Sequence, residues 1–334
     1  MIDSTLEAEY DIETVTMREA ISQALEEEMD RKDDVFMMGE DIGIYGGVYD
    51  VTNGFLDKFG SRRVRDTPIS EAGIVGTGVG AAIAGARPVV ELMFGDFIGV
   101  CGEQIVNQMA KTRYKLGGQA AVPLTIRAPE GAGRRAGPQH SGTLHTWIAH
   151  FPGLKAVAPG TPAAAKGLLK TAIRSDDPVF FFENKITYSM EGPVPVDEDY
   201  TLPLGDAGVV QSGSDVTVVA TQRLLWESVE AAEALAGDIS VEVIDPRSLY
   251  PLDTETITTS LGKTGRLIIA DESPLSYGTH AEIGMRMQEE AFYQLDAPIQ
   301  RVGVEDVHIP FSPGLEDEVI PMSDDVRAAI KSIV

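Results

Sequence analysis

Short apolar segments typical of strands alternate with helical segments along most of this chain. Predicted strands at 35–38, 87–93 and 154–158 are each followed, directly or after a loop, by a stretch with the apolar spacing of a helix. Because a strand–helix–strand connection returns the chain to the same sheet in parallel, this alternation indicates an α/β fold. The sheets are expected to be parallel and covered by helices on both faces.

The composition changes in the interval 184–203, which holds several prolines and a run of acids, and we place a domain linker there. The alternation of strands and helices resumes beyond this interval. We therefore predict two parallel-sheet α/β domains, at 14–190 and 204–334. The acidic residues 1–13 are expected to be loosely held.

The 334 residues include 52 acidic and 27 basic side chains, which gives a formal net charge of −25. So strong a negative charge argues against nucleic acids and anionic membrane surfaces as partners. The acids are scattered along the sequence, as on a solvated surface, and we hypothesise a salt-adapted protein.

The sequence contains one cysteine, Cys101, inside an apolar helical pattern. A single cysteine cannot form an intrachain disulfide and is typical of a reducing compartment, so we expect a cytoplasmic protein with Cys101 in its core. The N-terminus lacks the character of a signal peptide, and no apolar run is long enough to span a membrane.

A short turn at 66–70 precedes a glycine-rich segment that we predict to be a helix reaching about residue 84. Pro68 disfavours helical backbone before it, and Ser70 is a natural N-cap, so Glu71 is expected to be the first helical residue. Each glycine inside a helix costs about 1 kcal/mol relative to alanine, which indicates close approach by another backbone or a flat ligand. The glycines on one face are Gly73, Gly76 and Gly80.

Two interpretations of Glu71 follow from its place at the start of this helix. An acidic residue in the first turn complements the helix dipole and is common there. Alternatively, Glu71 is a buried carboxylate directed at a cofactor. The local sequence does not decide between them.

Three histidines, at 140, 145 and 150, are separated by five residues each. That spacing places neighbours about 140° apart on a helix, so they do not converge on a metal ion. His140 lies in a glycine-rich loop, where it is either a capping or core histidine or a proton carrier. Arg134 and Arg135, in the same loop, are either surface charges or ligands of an acidic substrate group or a partner chain.

Met93, Phe94 and Phe97 lie where a predicted strand ends and a predicted helix, reaching residue 115, begins. Ligands bind at the carboxyl ends of parallel strands, although aromatic residues are also common in ordinary cores. The chain has no Walker phosphate loop. The glycine run at 76–81 is not a dinucleotide fingerprint, because no strand directly precedes it.

Four segments, at 66–71, 91–94, 139–141 and 245–249, together resemble the beta subunit of a family of decarboxylase components. These are the thiamine-diphosphate-dependent components of 2-oxo acid dehydrogenase complexes. The resemblance covers residues 16–334 and implies a pyrimidine-binding domain followed by a transketolase C-terminal-like domain. The segment 92–97 is similar to acetoin-cleaving members, since branched-chain members typically have glutamine at 93 and tyrosine at 97.

The resemblance implies roles for individual residues. Glu71 matches the catalytic glutamate that hydrogen-bonds the pyrimidine ring of the cofactor. Phe97 matches the aromatic residue packed on that ring, and Met93 and Ile69 match apolar contacts around it. His140 matches the catalytic histidine near the reacting carbon, which is proposed to move protons and to assist transfer to the lipoyl group.

The resemblance also implies a potassium site built mostly from backbone carbonyl groups. Two of its positions, 175 and 177, depart from the commoner acid and amide of the family, and the alternative is a plain helix end. The matching residues are Leu124, Ala172, Ile173, Ser175 and Asp177.

The Gly-Asp-Gly motif with which the family holds magnesium and the cofactor diphosphate is absent from the sequence. The resemblance therefore implies that an alpha subunit supplies the magnesium and the diphosphate end in an α2β2 assembly, with a lipoyl acyltransferase core as a further partner. The glycine face of the helix is a candidate for packing between these subunits.

The implied activity is oxidative decarboxylation of a 2-oxo acid of the pyruvate type, with acyl transfer to lipoyl groups. Alternatives are an acetoin-cleaving member of the same family and a non-catalytic module that docks the acyltransferase core. A transketolase-like or deoxyxylulose-phosphate synthase enzyme is less compatible, because such chains carry both halves of the cofactor site.

Overall fold

The structure is a computed structural model that describes residues 10–197 and 199–334. Two large sheets, each covered by helices, account for most of this chain. The strands are β1 Ile12–Thr16, β2 Val35–Gly39, β3 Val64–Asp66, β4 Arg87–Glu91, β5 Thr125–Glu130, β6 Lys155–Val157, β7 Val179–Asn184, β8 Glu191–Pro195, β9 Gly208–Gln211, β10 Val216–Ala220, β11 Val241–Asp245, β12 Ser248–Tyr250, β13 Leu267–Pro274 and β14 Gln300–Val304. The helices are α1 Met17–Arg31, α2 Phe55–Phe59, α3 Glu71–Ile83, α4 Thr112–Lys115, α5 His145–Ala149, α6 Pro162–Arg174, α7 Gln222–Ala234, α8 Thr254–Thr264, α9 Thr279–Glu290, α10 Pro313–Val319 and α11 Ser323–Ser332.

The first sheet has seven strands in the order β12-β6-β7-β5-β4-β2-β3. Its central strands are parallel, as the alternation predicts, and side chains on successive positions enter different cores. In β7, Phe180 and Phe182 pack in one core, whereas Phe181 packs in the core on the opposite face. Both faces of the sheet are therefore covered.

The second sheet has five strands in the order β14-β13-β10-β11-β9. Its first four strands are parallel, but the edge strand β9 is antiparallel to β11. The first sheet likewise ends in an antiparallel edge strand, β12, which comes from the second half of the chain and pairs with β6. The predicted fold class of two α/β domains with parallel sheets is thus confirmed, and each large sheet adds one antiparallel edge strand.

The interval 184–203 is not a structureless linker, because it contains β8, which pairs antiparallel with β1. This pairing ties residues 12–16 to the end of the first domain and orders part of the segment that was expected to be loosely held. Residues 1–9 of that segment, and residue 198 of the linker, lie outside the described residues. The two domain boundaries stay predictions.

Polar side chains cap several helix starts. Thr16 and Glu19 form a reciprocal capping box at α1, and the side chains of Thr161 and Asp253 cap α6 and α8. The single helix predicted up to residue 115 is wrong. That stretch is a 3₁₀ turn at Gly95–Gly99, a π-helix at Gln104–Met109 and the short α4. Gly95, Gly99 and Gly102 lower the helix propensity of its first part.

In the part of the chain that is described, no helix combines the length and the hydropathy needed to cross a bilayer.

Candidate active site

The residues singled out from the sequence gather at one edge of the first sheet. Strands β3, β2, β4 and β5 are parallel neighbours, so their carboxyl ends lie side by side. Glu71 follows β3, Glu40 follows β2, Met93 follows β4, and the loop with His140 follows β5. This is the edge at which open parallel sheets bind ligands.

Helix α3 begins at Glu71, as predicted, although the Ser70 side chain makes no capping hydrogen bond. The Glu71 side chain is buried, with only 7% of its residue surface exposed. Among the residues described, no group donates a hydrogen bond to its carboxylate or forms an ion pair with it. The residue is thus buried, as predicted, while its carboxylate keeps a small contact with solvent and is left without a protein partner.

A second carboxylate, Glu40, lies close enough to interact with Glu71. Burial raises the pKa of Glu40, and the negative charge of Glu71 raises it further. The buried Oε1 of Glu40 also has no hydrogen-bond partner in the described chain. Two acidic groups without a cationic partner make a site that fits a ligand able to donate hydrogen bonds.

The glycines of α3 divide between two surroundings. Gly78 faces the sheet, where an added methyl group would lie 2.9 Å from Val90 and 3.2 Å from Leu124. Gly73 and Gly80 are exposed, and an added methyl group on Gly80 would meet no atom within 4 Å. Close approach of the sheet therefore explains one glycine. Gly80 is open in this chain, and an added methyl group on Gly73 would meet only the Ser70 side chain, at 2.9 Å from its Oγ.

Phe94, Phe97 and His140 form an aromatic cluster beside this edge. The ring centroids of Phe94 and His140 are 4.6 Å apart, and those of Phe97 and His140 are 5.6 Å apart. The structure thus brings Phe97 and His140 together, as the predicted roles require. Met93 is half-buried, whereas Ile69 is 83% exposed and has no cover in the single chain.

The second domain holds the start of the His140 loop. The Glu272 carboxylate, in β13, accepts a hydrogen bond from the backbone N–H of Ala132 at 2.5 Å. The buried Glu316 of α10 accepts from the backbone N–H groups of Gly133 and Arg135, at 2.8 and 3.2 Å. The loop that carries His140 is therefore anchored across the domain boundary.

Both arginines of this loop are engaged within the chain. The Arg135 guanidinium lies 2.7 Å from Glu316 and also pairs with Asp317. Arg134 donates to the backbone carbonyl of Lys185 at 3.0 Å and lies over the Tyr49 ring. Arg135 thus forms ion pairs within the chain, with Glu316 and Asp317, rather than being the free surface charge or substrate ligand considered from the sequence.

Sequence reasoning missed a buried cluster around Arg127. This side chain is fully buried and donates to Glu91 at 2.5 Å and to both oxygens of Glu183 at 2.7 and 2.8 Å. Burial lowers the pKa of Arg127, but the two carboxylates outweigh it and raise the pKa above its usual value. Its partners lie 36 and 56 residues away in sequence, so no local pattern indicates them.

His145 forms a second closed cluster, between the two domains. Its Nδ1 lies 2.6 Å from Glu130 Oε1, and its Nε2 lies 3.0 Å from Asp271 Oδ2. Burial lowers the pKa of His145, but Asp271 and Glu130 outweigh it and raise the pKa well above the ordinary value. Within the described ranges no group of three or more histidine, cysteine and acidic side chains is placed to hold a metal ion.

The predicted potassium ligands have partners of their own. The guanidinium of Arg87 donates to the carbonyl oxygens of Ile173 and Ser175, at 3.2 and 2.9 Å. The carbonyls of Leu124 and Ala172 accept backbone N–H groups. Positive charge is thus already present where the ion is predicted, and the potassium site stays a prediction.

Comparison with known proteins gives matches over both domains. The family described as "Transketolase, pyrimidine binding domain" matches residues 13–190, and "Transketolase, C-terminal domain" matches residues 205–326. The beta subunit of acetoin:2,6-dichlorophenolindophenol oxidoreductase from Bacillus subtilis (strain 168) is 46% identical over 325 residues, covering 93% of this chain and 95% of the relative. The beta subunit of the pyruvate dehydrogenase E1 component from Rhizobium meliloti (strain 1021) is 43% identical over 332 residues, covering 99% of this chain and 72% of the relative.

Among solved structures, a split-gene transketolase described as an inactive beta4 tetramer superimposes with a TM-score of 0.77. The alignment covers 96% of this chain and 98% of that chain, at 24% sequence identity. This likeness shows the fold.

Proposed function

Because the chain belongs to the family of beta subunits of pyruvate dehydrogenase E1 components and acetoin dehydrogenases, with their two transketolase-type domains, we propose that it forms half of a thiamine-diphosphate site. The reaction proposed is oxidative decarboxylation of a 2-oxo acid with transfer of the acyl group to a lipoyl group. The observation that carries the proposal is Glu71, a buried carboxylate without a protein partner at the ligand-binding edge of the sheet.

When bound between the residues named here, thiamine diphosphate would supply the carbon nucleophile for the chemistry at the substrate carbonyl. Glu71 would hold a proton at a nitrogen of the pyrimidine ring, because its side chain lies at the carboxyl ends of the parallel strands, where the ring is proposed to bind. Phe97 would cover the ring and exclude water. His140, packed against Phe97 and Phe94, would hold a proton next to the reacting atoms. Met93 and Ile69 are proposed as apolar contacts around the pyrimidine.

A second chain of the alpha type is proposed to hold magnesium and the diphosphate end, in an α2β2 assembly. The absence of a Gly-Asp-Gly motif supports this division, as do the exposed Ile69 and the exposed side of α3 at Gly73 and Gly80. Such a surface would be covered when another chain packs on it. The lipoyl acyltransferase core is proposed as the further partner.

Two substrates are compatible with the family: a 2-oxo acid of the pyruvate type, and acetoin. The relatives named for pyruvate and for acetoin match this chain at similar identity, so identity does not separate the two substrates. A non-catalytic assembly module is the remaining alternative, but it gives no reason for a buried carboxylate without a partner.

Co-expression with the alpha chain of the same organism, followed by a substrate screen, tests the proposal. Pyruvate, branched 2-oxo acids and acetoin are offered with 2,6-dichlorophenolindophenol as electron acceptor. We expect turnover of one class by the assembled enzyme and none by either chain alone. Turnover that is unchanged in Glu71→Gln would exclude the proposed role of Glu71 and favour the assembly module.

A salt-adapted acidic surface and a potassium site are also proposed, and one titration separates them. The free energy of unfolding is measured in rising KCl and, as the matched control, in rising NaCl. Stabilisation by both salts supports the acidic surface with its charge of −25, whereas stabilisation by KCl alone supports the potassium site. No stabilisation by either salt would contradict both proposals.

The cytoplasm is the proposed compartment, since the single cysteine, Cys101, is buried as a free thiol. Fractionation of the source cells tests this proposal. Recovery with the cytoplasmic proteins is expected, and recovery in an organelle or outside the cell would contradict it.

A further inference from the structure

A fully buried lysine lies directly behind the His140 loop. Lys185 follows β7, has no exposed surface, and its Nζ donates to the backbone carbonyl of His140 at 2.7 Å. The same Nζ lies 5.5 Å from the centroid of the Phe94 ring, and this ring packs edge-on against the His140 imidazole. Lys185 therefore contacts both the backbone of His140 and a ring that supports its side chain.

The loop is held after His140 as well, since the N–H of Gly142 donates to Asp96 Oδ1 at 3.1 Å, but the N–H of His140 itself is weakly bonded. Gly133, Arg135 and Gly137 all have positive φ angles, so the backbone before His140 follows a series of tight bends. The N–H of His140 makes one long bond, of 3.3 Å, to the carbonyl of Gly137. Carboxylates of the second domain anchor only the start of the loop, at residues 132–135.

Charged groups surround the Lys185 ammonium. The carboxylates of Asp96, Glu130 and Glu272 face it, and the guanidinium of Arg134 is the nearby cation. Burial lowers the pKa of Lys185 to about 8, although the carboxylates oppose this effect. The ammonium therefore titrates within an accessible pH range.

We propose that Lys185 is a positioning residue, which fixes the backbone of His140 and thereby the imidazole beside the reacting atoms. The inference rests on the proposed function, because only that function requires His140 to hold a proton next to the reacting atoms. Lys185 has no exposed surface, so it acts through His140 rather than on the substrate.

The test uses the assembled enzyme with its alpha partner and three variants. Lys185→Met keeps the length of the side chain but removes the hydrogen bond, and Lys185→Arg keeps a donor that does not lose its proton. Lys166→Met is the control for loss of a buried lysine, since Lys166 also donates to a backbone carbonyl, that of Pro195; its ammonium pairs with Glu27 in addition. Lys166 lies in α6, outside the aromatic cluster.

Lys185→Met is expected to lower kcat by about 10- to 100-fold, with substrate KM and cofactor affinity little changed, since displacement of a catalytic group costs rate in that range. In the wild type kcat is expected to fall above about pH 8, because the neutral amine of Lys185 donates a weaker hydrogen bond to the His140 carbonyl than the ammonium does. Lys185→Arg is expected to retain most of kcat and to move this fall to higher pH. Lys166→Met is expected to leave kcat and its pH profile unchanged.

A second readout separates failure of this inference from failure of the proposed function. Histidine labelled with ¹³C in the imidazole is incorporated, and the NMR signal of His140 is assigned by its loss in His140→Asn. The signal is expected to shift in Lys185→Met and to stay in place in Lys166→Met, whether or not the enzyme turns over. An unchanged His140 signal together with an unchanged kcat in Lys185→Met would overturn the inference, as would equal losses in the two Met variants.

Discussion

Glu71 and Glu91 are two buried carboxylates near the same edge of the same sheet, and each has 7% of its surface exposed. Glu91 lies 2.5 Å from the guanidinium of Arg127, whereas Glu71 has no hydrogen bond or ion pair within the described chain. A buried charge with a partner is part of the fold. A buried charge without one is costly, so we infer that it is retained because something outside the chain completes it.

The same contrast extends to their neighbours. His145 is enclosed by Glu130 and Asp271, and Arg127 is enclosed by Glu91 and Glu183. Glu40, next to Glu71, lacks a partner as Glu71 does. Among the described residues these two clusters are electrostatically closed, whereas the edge at Glu71 and Glu40 combines burial with unmatched negative charge.

The largest expected effect is on activity at the open carboxylate. Glu71→Gln keeps the shape of the side chain but removes its acid–base capacity, so kcat of the assembled enzyme should fall by about 10²- to 10⁴-fold. The midpoint of thermal unfolding of the chain alone should change little, because no contact within the described chain is lost. Strong destabilisation with normal kcat would show instead that Glu71 stabilises the fold and takes no part in the reaction.

The converse effect is expected at the closed cluster. Arg127→Met leaves two buried carboxylates without their cation, so the free energy of unfolding should fall by about 3–5 kcal/mol. Urea denaturation of the chain alone measures this loss. Arg127→Lys is the control, expected to lose less because the charge is kept. A variant Arg127→Met as stable as the wild type would show that the buried ion pairs of Arg127 do not stabilise the fold.

His145 predicts a pH dependence of stability. Its pKa is raised in the folded state, so its stabilising effect is complete below the unfolded value of 6.5 and is lost as the pH rises through the folded pKa. The free energy of unfolding should therefore decline with rising pH above about 6.5. Subtracting the free energy of unfolding of His145→Gln from that of the wild type at each pH isolates the contribution of His145. Parallel profiles for the two proteins would disprove the raised pKa.

A smaller effect is expected at the anchor between the domains. Glu316→Gln weakens three hydrogen bonds to Gly133 and Arg135, so the free energy of unfolding should fall by about 1–3 kcal/mol. Limited proteolysis should cleave the loop at 131–144 faster. The control is Asp317→Asn, an exposed neighbour that also pairs with Arg135 and should matter by less than about 1 kcal/mol. Equal effects of the two substitutions would contradict the special role of the buried carboxylate.

The sequence allowed prediction of the fold class and of the start of α3, because both depend on local signals. Strand and helix periodicity determined the class, and Pro68 and Ser70 placed Glu71 at the first helical position. The edge strand β12 was missed, since three residues carry no periodicity and its partner β6 lies in the other half of the chain.

In the candidate site, too, some features were predictable from the sequence and others were not. The resemblance identified Glu71 and His140, and the structure places both at the edge of the first sheet. It could not show that Glu71 lacks a partner, because pairing is a property of the folded chain. Nor could it identify Lys185 as a support of His140, since the two residues lie 45 positions apart and their bond involves a backbone carbonyl.

The central claim is that a coenzyme, of which this chain binds one end only, supplies the missing partner of the Glu71 carboxylate. Calorimetric titration of thiamine diphosphate with Mg²⁺ into the chain alone, the alpha chain alone and the assembled enzyme measures this. We predict saturable binding by the assembled enzyme, no measurable binding by the chain alone, and weakened binding when the assembly carries Glu71→Ala. Tight binding by the chain alone, or undiminished binding with Glu71→Ala, would contradict the account.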